Sequence, residues 1–144
     1  MTRALLAALL AAVAAPAAAE TIACPDLSSA AQVGSCPTEQ ELKWGYTGYC
    51  SDNARMYDKD GDTCVSLENY KALKDVALWE AGEFQGYLSC SLPAATVKAS
   101  KAAGVTVDRA GTMTRVTCSY DNGLRLSIRT RQTCRAEGGA AVCE

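Results

Sequence analysis

Eight cysteines and no histidine stand in this 144-residue chain, and every cysteine lies after Glu20. An even cysteine set in an exported chain reads as a disulfide framework; the competing use, thiolate zinc ligation, needs close pairs such as C-x-x-C. The shortest spacing here is Cys134 to Cys143. Cys24, Cys36, Cys50, Cys64, Cys90, Cys118, Cys134 and Cys143 are therefore expected to form four bridges. Spacing alone leaves their connectivity open. Each bridge would stabilise the fold by about 2–4 kcal/mol, mainly by restricting the unfolded chain. With only one Phe and two Trp to build a core, that contribution matters.

The leader supports the oxidising destination. Arg3 precedes an Ala/Leu run over residues 5–13, Pro16 interrupts it, and Ala17, Ala18 and Ala19 stand before Glu20. These are the charged, apolar and cleavage regions of a secretory signal, in order. The run is shorter than the roughly 20 residues that span a bilayer. Residues 1–19 are expected to be the signal and residues 20–144 one domain. Losing Arg3 takes the net charge from −2 to −3. A mildly acidic exported chain gives no reason to expect a nucleic-acid partner. No second apolar segment of membrane length follows, so no membrane span is expected. The location expected is the periplasm or the extracellular medium.

The missing histidine narrows the chemistry. It removes Ser-His-Asp and Cys-His catalysis, most zinc and copper sites, and the usual general base near neutral pH. Carboxylates, lysines, tyrosines and arginines remain.

Residues 42–50 alternate, with Leu42, Trp44, Tyr46 and Cys50 on one parity, and read as a half-buried strand. Residues 51–63 read as a polar loop. Ser66 is a helix cap, and Leu67, Tyr70, Leu73, Val76 and Ala77 share a helical face, so a helix is expected over residues 67–79, stopped by Gly82. Residues 84–92 alternate as a strand with Tyr87 outward, and Pro93 stops it. Residues 94–103 read as a short helix and residues 105–107 as a short strand.

The last hairpin, residues 114–131 around Asp121, Asn122 and Gly123, can be registered from parity. A two-residue loop mixes apolar and polar side chains on each face. A three-residue loop pairs Tyr120 with Leu124, Cys118 with Leu126 and Val116 with Ile128, and one face becomes wholly apolar. Because a one-residue slip turns every side chain over, the second register is expected, with a type I turn at Asp121 and Asn122 and Gly123 left-handed.

That register gathers Arg115, Arg125, Arg129 and Arg131 on the polar face, with Arg115 opposite Arg129. Guanidinium forks suit carboxylates and phosphates. The face is thus a candidate dock for an acidic protein or small anion; its arginines would otherwise pair with the chain's own acids. Tyr49 and Tyr87 are the candidate exposed aromatics of a binding surface.

Asp58, Asp60 and Asp62 alternate ahead of the Ser66 helix, and Glu68 lies just inside it. Alternate carboxylates on a tight turn converge on a hard cation. Over about eleven residues the segment resembles the EF-hand calcium loop, which implies Asp58, Asp60, Asp62 and Glu68 as calcium ligands in a structural role. It departs from that loop in carrying Thr63 at the usual glycine position and in being one residue short if Glu68 closes it.

The expected fold class is α+β: a small antiparallel sheet with one main helix, disulfide-rich, in a single domain. The expected function is an exported non-catalytic binding or accessory module, an inhibitor or partner subunit working through the arginine face. The alternatives are a calcium-stabilised structural protein and a carboxylate-based hydrolase.

Overall fold

The amino-terminal stretch is pinned by strand pairing and by two bridges. The computed structural model describes residues 19–58 and 61–144. The expected signal, apart from Ala19, and the candidate ligand Asp60 lie outside the described residues. Strand β1 (Glu20–Ala23) pairs antiparallel with the last strand of the chain. A 3-10 turn (Leu27–Ser29) follows. The Asp26 carboxylate caps it by accepting from the Ser28 N–H at 2.7 Å, and Leu27 is fully buried. Strand β2 (Ala31–Gln32) leads towards Cys36, Pro37 and the first helix.

Residues 42–50 are helical, not a strand: helix α1 spans Glu39–Tyr49. A capping box explains the outcome. Thr38 Oγ1 accepts from the Glu41 N–H, while the Glu41 carboxylate accepts from the Thr38 N–H at 2.7 Å. The alternating aromatics also satisfy a helical period. Leu42, Tyr46 and Tyr49 fall on one side, where Leu42 is buried and both tyrosines pack against Tyr70. Trp44, expected inward, is 70% exposed.

A short helix α2 (Asn53–Met56), capped by Asp52, occupies part of the expected loop. Helix α3 (Leu67–Lys74) begins at Ser66 as expected, with its hydroxyl accepting from the Asn69 N–H at 3.1 Å. It ends five residues short of the expected boundary. Val76 to Ala81 form strand β3, which buries Ala77, Trp79 and Ala81 at a period of two. Gly82, with φ of 58°, does not stop a helix; it begins the turn into strand β4 (Phe84–Ser89). Val76 and Ala77 fit both periods, and pairing with β4 decides between them.

Helix α4 (Ala94–Ala99) falls inside the expected helical stretch. Strand β5 (Ala102–Ala110) is much longer than the expected residues 105–107. Strands β6 (Met113–Tyr120) and β7 (Arg125–Thr130) take the three-residue register, with Val116 opposite Ile128 and Cys118 opposite Leu126. Their turn differs from expectation: Asn122 and Gly123 are both left-handed, with φ of 62° and 73°. Asparagine tolerates that region. Tertiary bonds hold it there, since Asn122 Nδ2 donates to Ser100 Oγ and the Asp121 carboxylate accepts from the Lys101 N–H. Strands β8 (Cys134–Glu137) and β9 (Ala140–Cys143) close the chain.

The described strands form two antiparallel sheets, β1-β9-β8 and β2-β3-β4-β7-β6-β5. The α+β, disulfide-rich class is therefore as expected. One face of the larger sheet carries the core. Trp79, Phe84, Leu88, Cys118, Tyr120 and Leu126 pack with Leu27 and Val97 from the 3-10 turn and α4. Further along that face, Val116 packs with Ala141 and Cys143 of the smaller sheet. The other face is left to solvent.

Cys24–Cys118 ties the stretch after β1 into the core, and Cys36–Cys90 ties the approach to α1 to the end of β4. Cys50–Cys64 joins the end of α1 to the acidic loop, so Cys50 sits at a helix end and not on a strand. Cys134–Cys143 links directly opposed residues of β8 and β9. Among the described residues no cysteine is free, and no helix is long and apolar enough to cross a membrane. Four disulfides are typical of exported proteins.

Candidate functional site: an arginine-lined trough

The uncovered face of the larger sheet is concave and encloses a trough of about 890 Å³. It follows from the period-two pattern of five strands. Every second residue serves the core, so the others collect here. β6 contributes Arg115, Thr117 and Ser119, and β7 contributes Arg125, Ser127 and Arg129. Thr106 and Asp108 stand on β5, Gln85 and Tyr87 on β4, and Leu78 on β3.

Gly86 sets how closely the two halves of the sheet approach. A Cβ at this position would run into the Arg125 carbonyl oxygen. Glycine therefore lets β4 lie against β7, where Gln85 stands opposite Ser127, and brings Tyr87 beside Arg125.

The charges fall in cross-strand order. Asp108 is opposite Arg115, and Arg115 is opposite Arg129. Asp108 Oδ2 receives Arg115 at 3.3 Å. Among the described residues Arg125 and Arg129 have no carboxylate within ion-pair distance, although Glu83 of the β3–β4 turn lines the same trough. Glu39 holds Lys71 at 2.7 Å between α1 and α3, and Arg135 holds Glu137 and Glu144. The Lys71 hydrogen bond is the main reason that Glu39 is held below the usual carboxylate range and Lys71 above the usual ammonium value.

Of the expected binding residues, Arg115, Arg125, Arg129 and Tyr87 meet in this trough. Arg131 does not line it; it follows the last residue of β7 and is exposed. Tyr49 lies in the α1–α3 packing, 5.9 Å from the Tyr70 ring, with the Arg55 guanidinium 4.3 Å over its face and Lys74 at 5.2 Å. Sequence reasoning missed Asp108, Gln85, Leu78 and Gly86. The parity of β5 would have found Asp108 had the strand been extended to its full length.

The acidic loop runs into α3 at Ser66. The Asp62 carbonyl accepts from Asn69 Nδ2 and from the Val65 N–H. The Glu68 carboxylate reaches Lys71 at 3.6 Å. Asp58, Asp62 and Glu68 are described, whereas Asp60 is not. Among the described residues no three acids, cysteines or histidines come together as a metal site.

No known family's sequence profile matches this chain, and neither a curated protein nor a solved structure matches it.

Proposed function

We propose that this chain is an exported, non-catalytic binding module that docks carboxylate- or phosphate-bearing groups of a partner in the trough, as an inhibitor or accessory subunit. The observation that carries the reading is that three arginines, Arg115, Arg125 and Arg129, line a concave surface against two carboxylates, Glu83 and Asp108, and that among the described residues neither Arg125 nor Arg129 has an ion-pair partner, in a protein whose net charge is −2. A chain with surplus acid has the means to neutralise its own arginines; leaving two of them open at one concavity favours an acidic guest. The four disulfides fit a periplasmic or extracellular setting.

The trough's two carboxylates favour binding over hydrolysis. Glu83, in the β3–β4 turn, and Asp108, on β5, lie at opposite sides of the concavity. Three strand spacings separate them, about 14 Å at ~4.8 Å each. Carboxylate pairs that hydrolyse glycosides stand roughly 5–9.5 Å apart.

Calorimetric titration with a glutamate-rich peptide, and separately with inorganic phosphate, tests the reading. Wild type is expected to bind at least one probe, less tightly as salt screens the arginines. Arg125→Glu with Arg129→Glu is expected to abolish that binding while leaving the melting temperature nearly unchanged. Absence of binding to either probe, or equal binding by the variant, rejects the reading.

A further inference from the structure

Tyr87 lines two cavities. One is the arginine trough. The other is a cleft of about 600 Å³ bordered by Pro37, Glu41 of α1, Leu73 and Lys74 of α3, and Val76 of β3. Large apolar side chains are exposed here: Tyr87, shared by both cavities, is 70% exposed, and Leu73 of the cleft 51%. A single exposed apolar residue needs no explanation, but a cluster of them at a concavity marks an interaction surface.

Tyr87 joins the two cavities, and the sheet register places it. Tyr87 stands opposite Leu78 on one side. On the other, Gln85 pairs with Ser127, which brings Tyr87 level with Arg125. Val33, whose N–H donates to the Leu78 carbonyl at 2.9 Å, extends the row. One cross-strand row thus passes from Val33 and Leu78 through Tyr87 to Arg125, from apolar to cationic, and Tyr87 is its member that also borders the cleft.

We propose that trough and cleft are one bipartite groove for an extended segment of a partner protein, in which carboxylates are followed by an apolar side chain. This rests on the reading of the trough as an acid-binding surface and adds the second half of the ligand. The carboxylates meet Arg129 and Arg125, and the apolar side chain crosses Tyr87 into the cleft beside Leu73. Charge complementarity fixes which end lies where. The spacing follows from strand geometry. Arg125 and Arg129 are about 13 Å apart along β7 at ~3.3 Å per residue, the reach of about four extended residues. Tyr87, one strand spacing from Arg125, already borders the cleft, and Val76 of its wall is a second spacing across and two residues further along, about 12 Å from Arg125 or between three and four extended residues.

The test uses two synthetic peptides. Both carry two glutamates four positions apart; one has a leucine three positions after the second glutamate, and the other has serine there. The leucine peptide is expected to bind about tenfold more tightly, as burying an apolar side chain is worth about one such factor. Leu73→Ser, at an exposed position, is expected to remove that gain and leave the affinity for the serine peptide unchanged. Tyr87→Ala is expected to weaken the leucine peptide more than the serine one. Equal binding of the two peptides by wild type overturns the bipartite groove and leaves the acid-binding reading standing. Failure of both peptides overturns the bipartite groove, and the acid-binding reading falls with it when inorganic phosphate also fails to bind. Concentration-dependent dimerisation abolished by Leu73→Ser also overturns the proposal, since the cleft would then be filled by a second copy.

Discussion

Arg115 and Arg129 stand directly opposite each other on β6 and β7, and the carboxylate that moderates them comes from the third strand of the row, Asp108 on β5, at 3.3 Å from Arg115. Like charges placed opposite one another are destabilising. Asp108 pairs with only one of the two guanidiniums, and the trough's three arginines outnumber its two carboxylates, Asp108 and Glu83, which gives it its positive character.

Asp108→Asn should therefore uncover both arginines. The expected loss of stability is small, about 0.5 kcal/mol, because the pair is exposed. The same variant should bind phosphate more tightly than wild type. Urea denaturation at low and high salt checks the first point: the loss should shrink as salt screens the repulsion. A salt-independent loss would mean that Asp108 acts through something other than charge.

Two glycines should respond to alanine with opposite signs. A Cβ at Gly86 meets the Arg125 carbonyl, which is backbone and cannot rotate aside. Gly86→Ala is expected to cost about 3 kcal/mol, the upper end of overpacking penalties. In contrast, a Cβ at Gly48, inside α1, has nothing within 4 Å. Gly48→Ala should stabilise by about 0.5–1 kcal/mol through helix propensity and the unfolded chain's lost freedom. Denaturant midpoints of the two variants measure both signs.

Tyr120 couples the core to pH. Its ring is buried, and its hydroxyl donates to the Pro25 carbonyl at 2.8 Å. Burial chiefly, and the Asp26 charge secondarily, push its phenol from 10.0 to about 12. The folded state thus keeps this proton where the unfolded chain has lost it. Its contribution is complete below pH 10 and is lost as the pH rises towards 12. Tyr120→Phe should cost about 1–2 kcal/mol at neutral pH, the worth of a buried hydrogen bond whose acceptor is stranded. It should also flatten the decline of stability over that alkaline window. An equal slope in both proteins would remove Tyr120 as its origin.

The bridges should differ in weight according to the loops that they close. Cys24–Cys118 spans 94 residues and Cys50–Cys64 spans 14. Loop-closure entropy assigns them about 4.7 and about 3 kcal/mol. Replacing Cys24 and Cys118 by alanine should therefore destabilise more than replacing Cys50 and Cys64, as thermal unfolding of the two double variants will report. The reverse order would show that the acidic loop needs its bridge for packing rather than for entropy.

The last hairpin is legible in the residues alone, because only one register puts Val116, Cys118, Leu126 and Ile128 on the same side, and a slip exposes them all. The start of α3 at Ser66 is equally plain. Residues 42–50 are not. Their alternation satisfies both periods, and the decisive signal lies outside the segment, in Thr38 and Glu41. Residues 76–81 mislead for a related reason: Val76 and Ala77 continue the helical face of α3, but the edge of β4 competes for them and wins.

Amino-acid order settles what alternation and chemistry can settle locally. It supplies eight cysteines where bridges belong, the β6–β7 register, and Arg115, Arg125 and Arg129 on one face. The tertiary fold selects which cysteines meet, since pairing depends on the path of the whole chain. It also covers one face of the sheet with α4, the 3-10 turn and the smaller sheet, while the other stays concave and open. Whether an arginine finds a carboxylate depends on which strand becomes its neighbour. For Arg115 that neighbour is β5 with Asp108; for Arg125 it is β4 with Gly86 and Tyr87, which offer close approach and an aromatic ring but no acid.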